Sequence, residues 1–148
     1  MLQLSSLTDL PSNIPASSVL VPTMGALHEG HAALIRAARE IAGASGSVVV
    51  SIFLNPLQFD RPGDLADYPA SLEEDLALCR SLDVNVVFTP SPAEFYATDH
   101  SVRVSENLLS RNLCGAARPG HFEGVCTVVL KLFHALLPSA AVFGKKDY

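Results

Sequence analysis

The string Val19-Leu20-Val21-Pro22-Thr23-Met24-Gly25-Ala26-Leu27-His28-Glu29-Gly30-His31 leaves this chain few folds to choose from. A short apolar strand runs into a Pro-Thr-Met-Gly turn, and two histidines separated by a glutamate and a glycine then open a helix. The N-terminus of a helix offers unpaired N–H groups and the positive end of its dipole, and both suit a phosphate. Side chains three apart share one face of the first turn, so His28 and His31 can point at the same anion. Gly25 and Gly30 leave the backbone bare where a nucleotide would press against it. A zinc-protease helix needs histidines four apart, which these are not. The reading is a nucleotide-phosphate site; the plain alternative is two polar residues at an ordinary helix start.

Apolar patterning supplies the frame. Residues 1–16 are a weakly patterned lead-in. Residues 17–21 read as a first strand and 30–41 as a helix, with Ala33, Leu34, Ala37, Ala38 and Ile41 forming its apolar stripe. Residues 47–54, SVVVSIFL, are a nearly continuous apolar run, as expected of a central parallel strand covered on both faces. A long polar loop spans 55–69. Ser71 reads as an N-cap, with Glu73, Glu74 and Asp75 in the first turn of a helix ending near Leu82. A third strand is predicted at 84–88, short helices at 93–96 and 107–113 (the latter ended near Gly115), a buried helix at 124–137 stopped by Pro138, and a fourth strand at 140–143. Strands alternating with helices imply an α/β fold, a parallel sheet with helices on both faces. Ligands of such sheets bind beyond the carboxyl ends of the strands, where strand order reverses. Segments 22–31, 53–59 and 144–147 each follow a predicted strand and so converge on one crevice.

Charge and composition exclude several classes. A net charge of −5 argues against a nucleic-acid partner, which needs a basic face. No apolar run reaches the ~18 residues of a membrane span. Cys79, Cys114 and Cys126 are odd in number and widely spaced, which suggests neither a disulfide framework nor a zinc ribbon. A reduced, cytoplasmic protein is the default.

Two further strings carry chemistry. Asn55 and Gln58, in Phe53-Leu54-Asn55-Pro56-Leu57-Gln58-Phe59, offer amide donors and acceptors beside aromatic walls, which suits a small hydroxy acid with apolar branches. The alternative is an Asn that bonds nearby backbone. In Arg118-Pro119-Gly120-His121-Phe122-Glu123-Gly124, Arg118 either steers an anion or stays solvated, and His121 reads as structural.

The first string resembles the His-x-Gly-His motif of the nucleotidyltransferase superfamily, and its Pro-Thr-Met-Gly-Ala-Leu-His-Glu-Gly-His form resembles the pantoate–β-alanine ligase family. The resemblance runs from about Val19 to Tyr148. The family's Val-Asn-Pro-x-Gln-Phe appears here with Leu54 for valine, and Arg-Pro-x-His-Phe-x-Gly appears at 118–124. Its Gly-Glu-Lys-Asp becomes Gly144-Lys145-Lys146-Asp147, and its Tyr-Pro-Arg-Thr becomes Tyr68-Pro69-Ala70-Ser71, so Ala70 cannot do what that arginine does.

The resemblance implies a Rossmann-like fold and ATP-dependent condensation of pantoate with β-alanine through a pantoyl-adenylate. ATP, with Mg²⁺, is a co-substrate, and no tightly bound cofactor is implied. His31 and His28 become the catalytic pair. Met24, Gly25, Ala26, Leu27, Glu29 and Gly30 line the nucleotide with them, as do Gly144, Lys145, Lys146 and Asp147. Gln58, Asn55, Met24 and Arg118 take pantoate or β-alanine. The resemblance implies no particular protein ligand to Mg²⁺; Asp75 is the candidate. A homodimer is also implied.

In the family the sequence continues with a Gln-Gln pair, a Ser-Ser-Arg-Asn stretch and a lid domain. Residues 1–148 are therefore expected to be the amino-terminal nucleotide-binding portion, inactive or weakly active by itself. Three rivals stay open: another transferase with the same first motif, a nucleotide-binding module without catalysis, and a metal protein built on His28, His31, His121 and His134.

Overall fold

A computed structural model describes residues 1–10, 14–15, 17–59, 63, 65, 68–69, 71–112 and 114–145. Ala70, Lys146, Asp147 and Tyr148 lie outside the described residues. The strands are β1 (Leu2–Leu4), β2 (Ser18–Thr23), β3 (Ser47–Ile52), β4 (Val86–Phe88) and β5 (Ala140–Ala141). The helices are α1 (Glu29–Ala42), α2 (Leu72–Ser81), α3 (Pro92–Phe95), α4 (Cys114–Ala117) and α5 (His121–Leu136).

The strands form one parallel sheet in the order β1-β4-β3-β2-β5. From β2 the chain steps outward through β3 to β4 and later returns to place β5 on the other side of β2. Strand order therefore reverses at β2, and the loop after β2 sits at that reversal. β2 and β3 are buried almost throughout, which is why they read as runs of β-branched residues rather than as alternation.

Successive residues of the strands serve opposite faces. Val19, Val21, Val48 and Val50 pack with Ile35 and Ala38 of α1 and with Leu76 and Cys79 of α2. Leu20 and Val49 pack on the other face with Phe95 of α3 and with Val128, Leu132 and Leu136 of α5. Helices thus cover both faces, as the sequence pattern requires. No helix among the described residues is long and apolar enough to cross a membrane.

Several expectations need correction. The buried row of α1 is Ala32, Ile35 and Ala38, while Ala33 is exposed and Ile41 is 60% exposed. Two rows of α1 are apolar; the one with alanines on either side of Ile35 lets the helix lie close against the strands. The lead-in contains β1, an edge strand too short for its alternation to be visible. Ser71 does occupy the N-cap of α2, but its hydroxyl makes no capping bond. The helix expected at 107–113 is a single 3₁₀ turn, Leu109–Arg111, and Gly115 falls inside α4. α5 begins at His121, three residues earlier than expected, after Gly120 in a left-handed conformation. It ends at Leu136; Leu137 follows in a left-handed conformation, and Pro138 comes after it. β5 stops at Ala141, although Val142 still donates its N–H to Leu20.

Candidate active site

The loop after β2 is fixed before it reaches the helix. Thr23 Oγ1 donates to the Ser51 carbonyl at 2.8 Å and accepts the Gly25 N–H at 3.3 Å. Gly25 and Ala26 are both left-handed, with φ of 87° and 51°. A side chain at Gly25 would be strained by that φ, and its Cβ would lie 2.9 Å from Asp75 Oδ2 and 3.2 Å from Ile52. Asp75, which is 3% exposed, reaches over from α2. Its Oδ2 accepts the Ala26 N–H at 3.0 Å and its Oδ1 the Leu27 N–H at 2.6 Å.

The two histidines close the start of α1 on each other. His28 is the N-cap, and its Nδ1 accepts the Gly30 N–H at 3.0 Å. His31 Nδ1 reaches back to accept the His28 N–H at 3.3 Å, and the ring centroids lie 4.2 Å apart. This is a capping box made by imidazoles. With Nδ1 accepting, each neutral ring carries its proton on Nε2, at the opposite edge of the ring. A Cβ at Gly30 would fall 2.7 Å from His28 Cε1, so the glycine makes room for that ring.

Two expectations about this loop change. The space opened by Gly25 and Gly30 is filled from within the protein, by Asp75 and by His28. Unpaired amides at the helix start are fewer than expected: those of Ala26, Leu27, His28 and Gly30 are all taken internally. The donors best suited to an incoming anion are therefore the imidazole edges. Both oxygens of Asp75, the candidate Mg²⁺ ligand, accept backbone amides of this loop. Among the described residues no group of three His, Cys, Asp or Glu could hold a metal ion, so His28, His31, His121 and His134 are not gathered into one. Glu29 pairs with Arg36 at 2.6 Å on the exposed face of α1.

The loop after β3 forms the other wall. Asn55 is 1% exposed and wholly engaged. Its Nδ2 donates to Gln58 Oε1 and to the Gly124 carbonyl at 3.0 and 3.1 Å. Its Oδ1 accepts from Leu57 N at 3.3 Å and from the Tyr96 hydroxyl at 2.9 Å. Burial raises the Tyr96 hydroxyl to about 12, against the opposing charge of Arg103. Asn55 therefore holds the turn, and Gln58 is the amide presented at its edge. Gln58 Nε2 donates to Met24 Sδ at 2.8 Å, which brings the two loops together. His121 Nδ1 lies 2.9 Å from the Gln58 carbonyl, a contact that ties the start of α5 to this turn.

Arg118 stands in the exposed turn between α4 and α5. Gly144 and Lys145 follow β5, which pairs with β2 in parallel, so this segment leaves the sheet at the same end as the histidine loop. The sequence reading missed the grip of Asp75 on the loop, the Tyr96 bond to Asn55 and the close seat of Gly124 beneath Leu57.

Comparison with known proteins gives one family. Residues 4–148 match the family model described as pantoate-beta-alanine ligase. The pantothenate synthetase of Akkermansia muciniphila is 56% identical over 130 residues, covering 88% of this chain and 46% of that protein. The crystal structure of pantothenate synthetase from Thermus thermophilus superposes with a TM-score of 0.88 at 41% identity, covering 95% of this chain and 51% of that one. The pantoate-beta-alanine ligase of Francisella tularensis, described as complexed with beta-gamma ATP and beta-alanine, superposes with a TM-score of 0.86 at 39% identity, covering 95% and 55%. The chain spans about half the length of the curated relatives it matches.

Proposed function

The chain belongs to the pantoate-beta-alanine ligase family, and from that membership we propose that it supplies the ATP and pantoate subsites of an ATP-dependent condensation of pantoate with β-alanine. The observation that carries the reading is the reciprocal cap of His28 and His31, set beside the Gln58–Met24 contact at the reversal of strand order. One loop presents paired imidazole donors to phosphate, and the other presents an amide to a hydroxy acid.

In this reading the pantoate carboxylate attacks the α-phosphorus of ATP and pyrophosphate leaves. The amine of β-alanine then attacks the acyl-adenylate and AMP leaves. His28 and His31 donate Nε2–H to phosphate oxygens, and His31 serves as proton donor. Gln58 and Met24 hold pantoate, Asn55 positions Gln58, and Arg118 steers the carboxylate. Gly144 and Lys145, leaving β5, take the nucleotide together with Lys146 and Asp147, which follow them in the sequence. The protein's part is positioning and charge stabilisation. Mg²⁺ arrives with ATP as part of the substrate, held largely by phosphate oxygens, as its chemistry prefers. Residues 1–148 are assigned to the amino-terminal portion of the family's architecture. The family resemblance also carries a homodimer and a cytoplasmic location; sedimentation velocity checks the first and cell fractionation the second.

Calorimetric titration with ATP–Mg²⁺ and with pantoate tests the subsites, and AMP release on adding β-alanine tests the reaction. Binding of both ligands supports the proposal. Absence of ATP binding to the folded chain overturns it.

A further inference from the structure

We propose that Asp75 is a positioning residue for the nucleotide loop, and that it hands anion recognition from backbone amides to the two imidazoles; this rests on the function proposed above. Asp75 is the only buried acidic side chain among the described residues. A buried carboxylate is costly unless it is bonded. Here both oxygens accept backbone N–H groups, from Ala26 at 3.0 Å and Leu27 at 2.6 Å. The carboxylate also sits in the first turn of α2, at the positive end of that helix.

These two bonds hold an unfavourable backbone. Ala26 is a non-glycine residue with φ of 51°, next to Gly25 at 87°, and such pairs persist only where their surroundings enforce them. The clamped loop leads directly into His28, whose extended backbone lets its ring cap α1. Two amides that could have met a phosphate are spent on Asp75, and the amides of His28 and Gly30 are spent on the rings. Asp75 thus sets where the imidazole pair stands and also leaves it as the principal donor.

Asp75→Asn is the direct test. An amide offers one acceptor and turns an N–H toward the second backbone N–H. The expected result is loss of hydrogen-exchange protection at Ala26 or Leu27 by about tenfold or more, with strand β3 unchanged. The uniform Nε2–H tautomer of His28 and His31, read from imidazole ¹⁵N shifts, should also be lost, and ATP–Mg²⁺ affinity should fall about tenfold or more. Val84→Ala, a core truncation at the far end of the same layer, should lower protection evenly and leave the tautomer alone. Asp75→Glu should restore part of the protection. Wild-type protection and tautomers in a folded Asp75→Asn chain would overturn the proposal. If that variant does not fold, fast exchange of Ala26 and Leu27 in the wild type would overturn it equally. A wild type that shows the protected amides and fixed tautomers yet binds no ATP would defeat the proposed function and leave the clamp standing.

Discussion

Gln58 donates its side-chain N–H to the sulfur of Met24 at 2.8 Å, and this contact ties the loop after β3 to the loop after β2. The donor end of Gln58 thus faces the histidine loop, while its acceptor end is held by Asn55.

Gln58→Ala should therefore weaken pantoate binding and leave ATP–Mg²⁺ binding nearly intact. A hydrogen bond to a charged group contributes about 1.5–3 kcal/mol, so pantoate affinity should drop roughly tenfold or more. Calorimetry with each ligand separates the two effects. Loss of ATP binding with pantoate binding spared would reverse the assignment of the loops.

Substitutions at His31 can separate capping from anion contact. His31→Ala removes the acceptor of the His28 N–H and should cost about 0.5–2 kcal/mol of stability. His31→Gln supplies the usual capping-box acceptor at this position and should keep most of that stability. Both variants should bind ATP–Mg²⁺ about tenfold more weakly, because neither carries the imidazole donor. Wild-type affinity in His31→Gln would show that the ring serves the helix alone.

What the sequence made legible follows a physical divide. The SVVVSI run of β3 and the pairing of His28 with His31 are local signals, and both are read without the fold. The capping chemistry of the rings was missed because imidazole is not a usual cap. Asp75 read as a first-turn acid and a candidate Mg²⁺ ligand, and its grip on the loop was hidden because its partners, Ala26 and Leu27, lie 49 and 48 residues away. The buried face of α1 was misjudged because periodicity alone does not rank an alanine-flanked row against one with more bulk. Asn55 looked like a ligand contact; its four partners come from three separate segments, which only the fold brings together.

Alkaline pH should destabilise the fold in two overlapping steps. Burial chiefly, reinforced by the charge of Asp75, lifts the Cys79 thiol from 9.0 to about 11, while Arg80 opposes the rise. Burial lifts Tyr96 from 10.0 to about 12. Both groups are neutral when folded and ionise more readily when unfolded. Their contributions are therefore complete below the unfolded values and are lost as pH rises, across 9.0 to 11 for Cys79 and 10.0 to 12 for Tyr96. Urea midpoints should fall over this range, and Cys79→Ala should flatten its lower part. Midpoints that stay constant would contradict the shifts.

Gly124→Ala gives a test in which the sign of the effect decides. Gly124 lies inside α5, where glycine to alanine ordinarily stabilises a helix by about 1 kcal/mol. Here the new Cβ would stand 2.4 Å from the Leu57 carbonyl oxygen, 2.5 Å from its carbon and 2.7 Å from Gln58 N. These are backbone atoms of the turn that presents Gln58, and they cannot swing aside as a flexible side chain could. The overlap should outweigh the propensity gain and leave a net loss of about 1–3 kcal/mol in urea unfolding. To relieve it the turn must move away from α5, which also strains the Asn55 bond to the Gly124 carbonyl. Pantoate affinity should then fall with stability, while ATP–Mg²⁺ affinity, which the proposal places on the loop after β2, should hold. A stabilised Gly124→Ala chain with unchanged pantoate binding would mean that the close seat of α5 against Leu57 does not position Gln58.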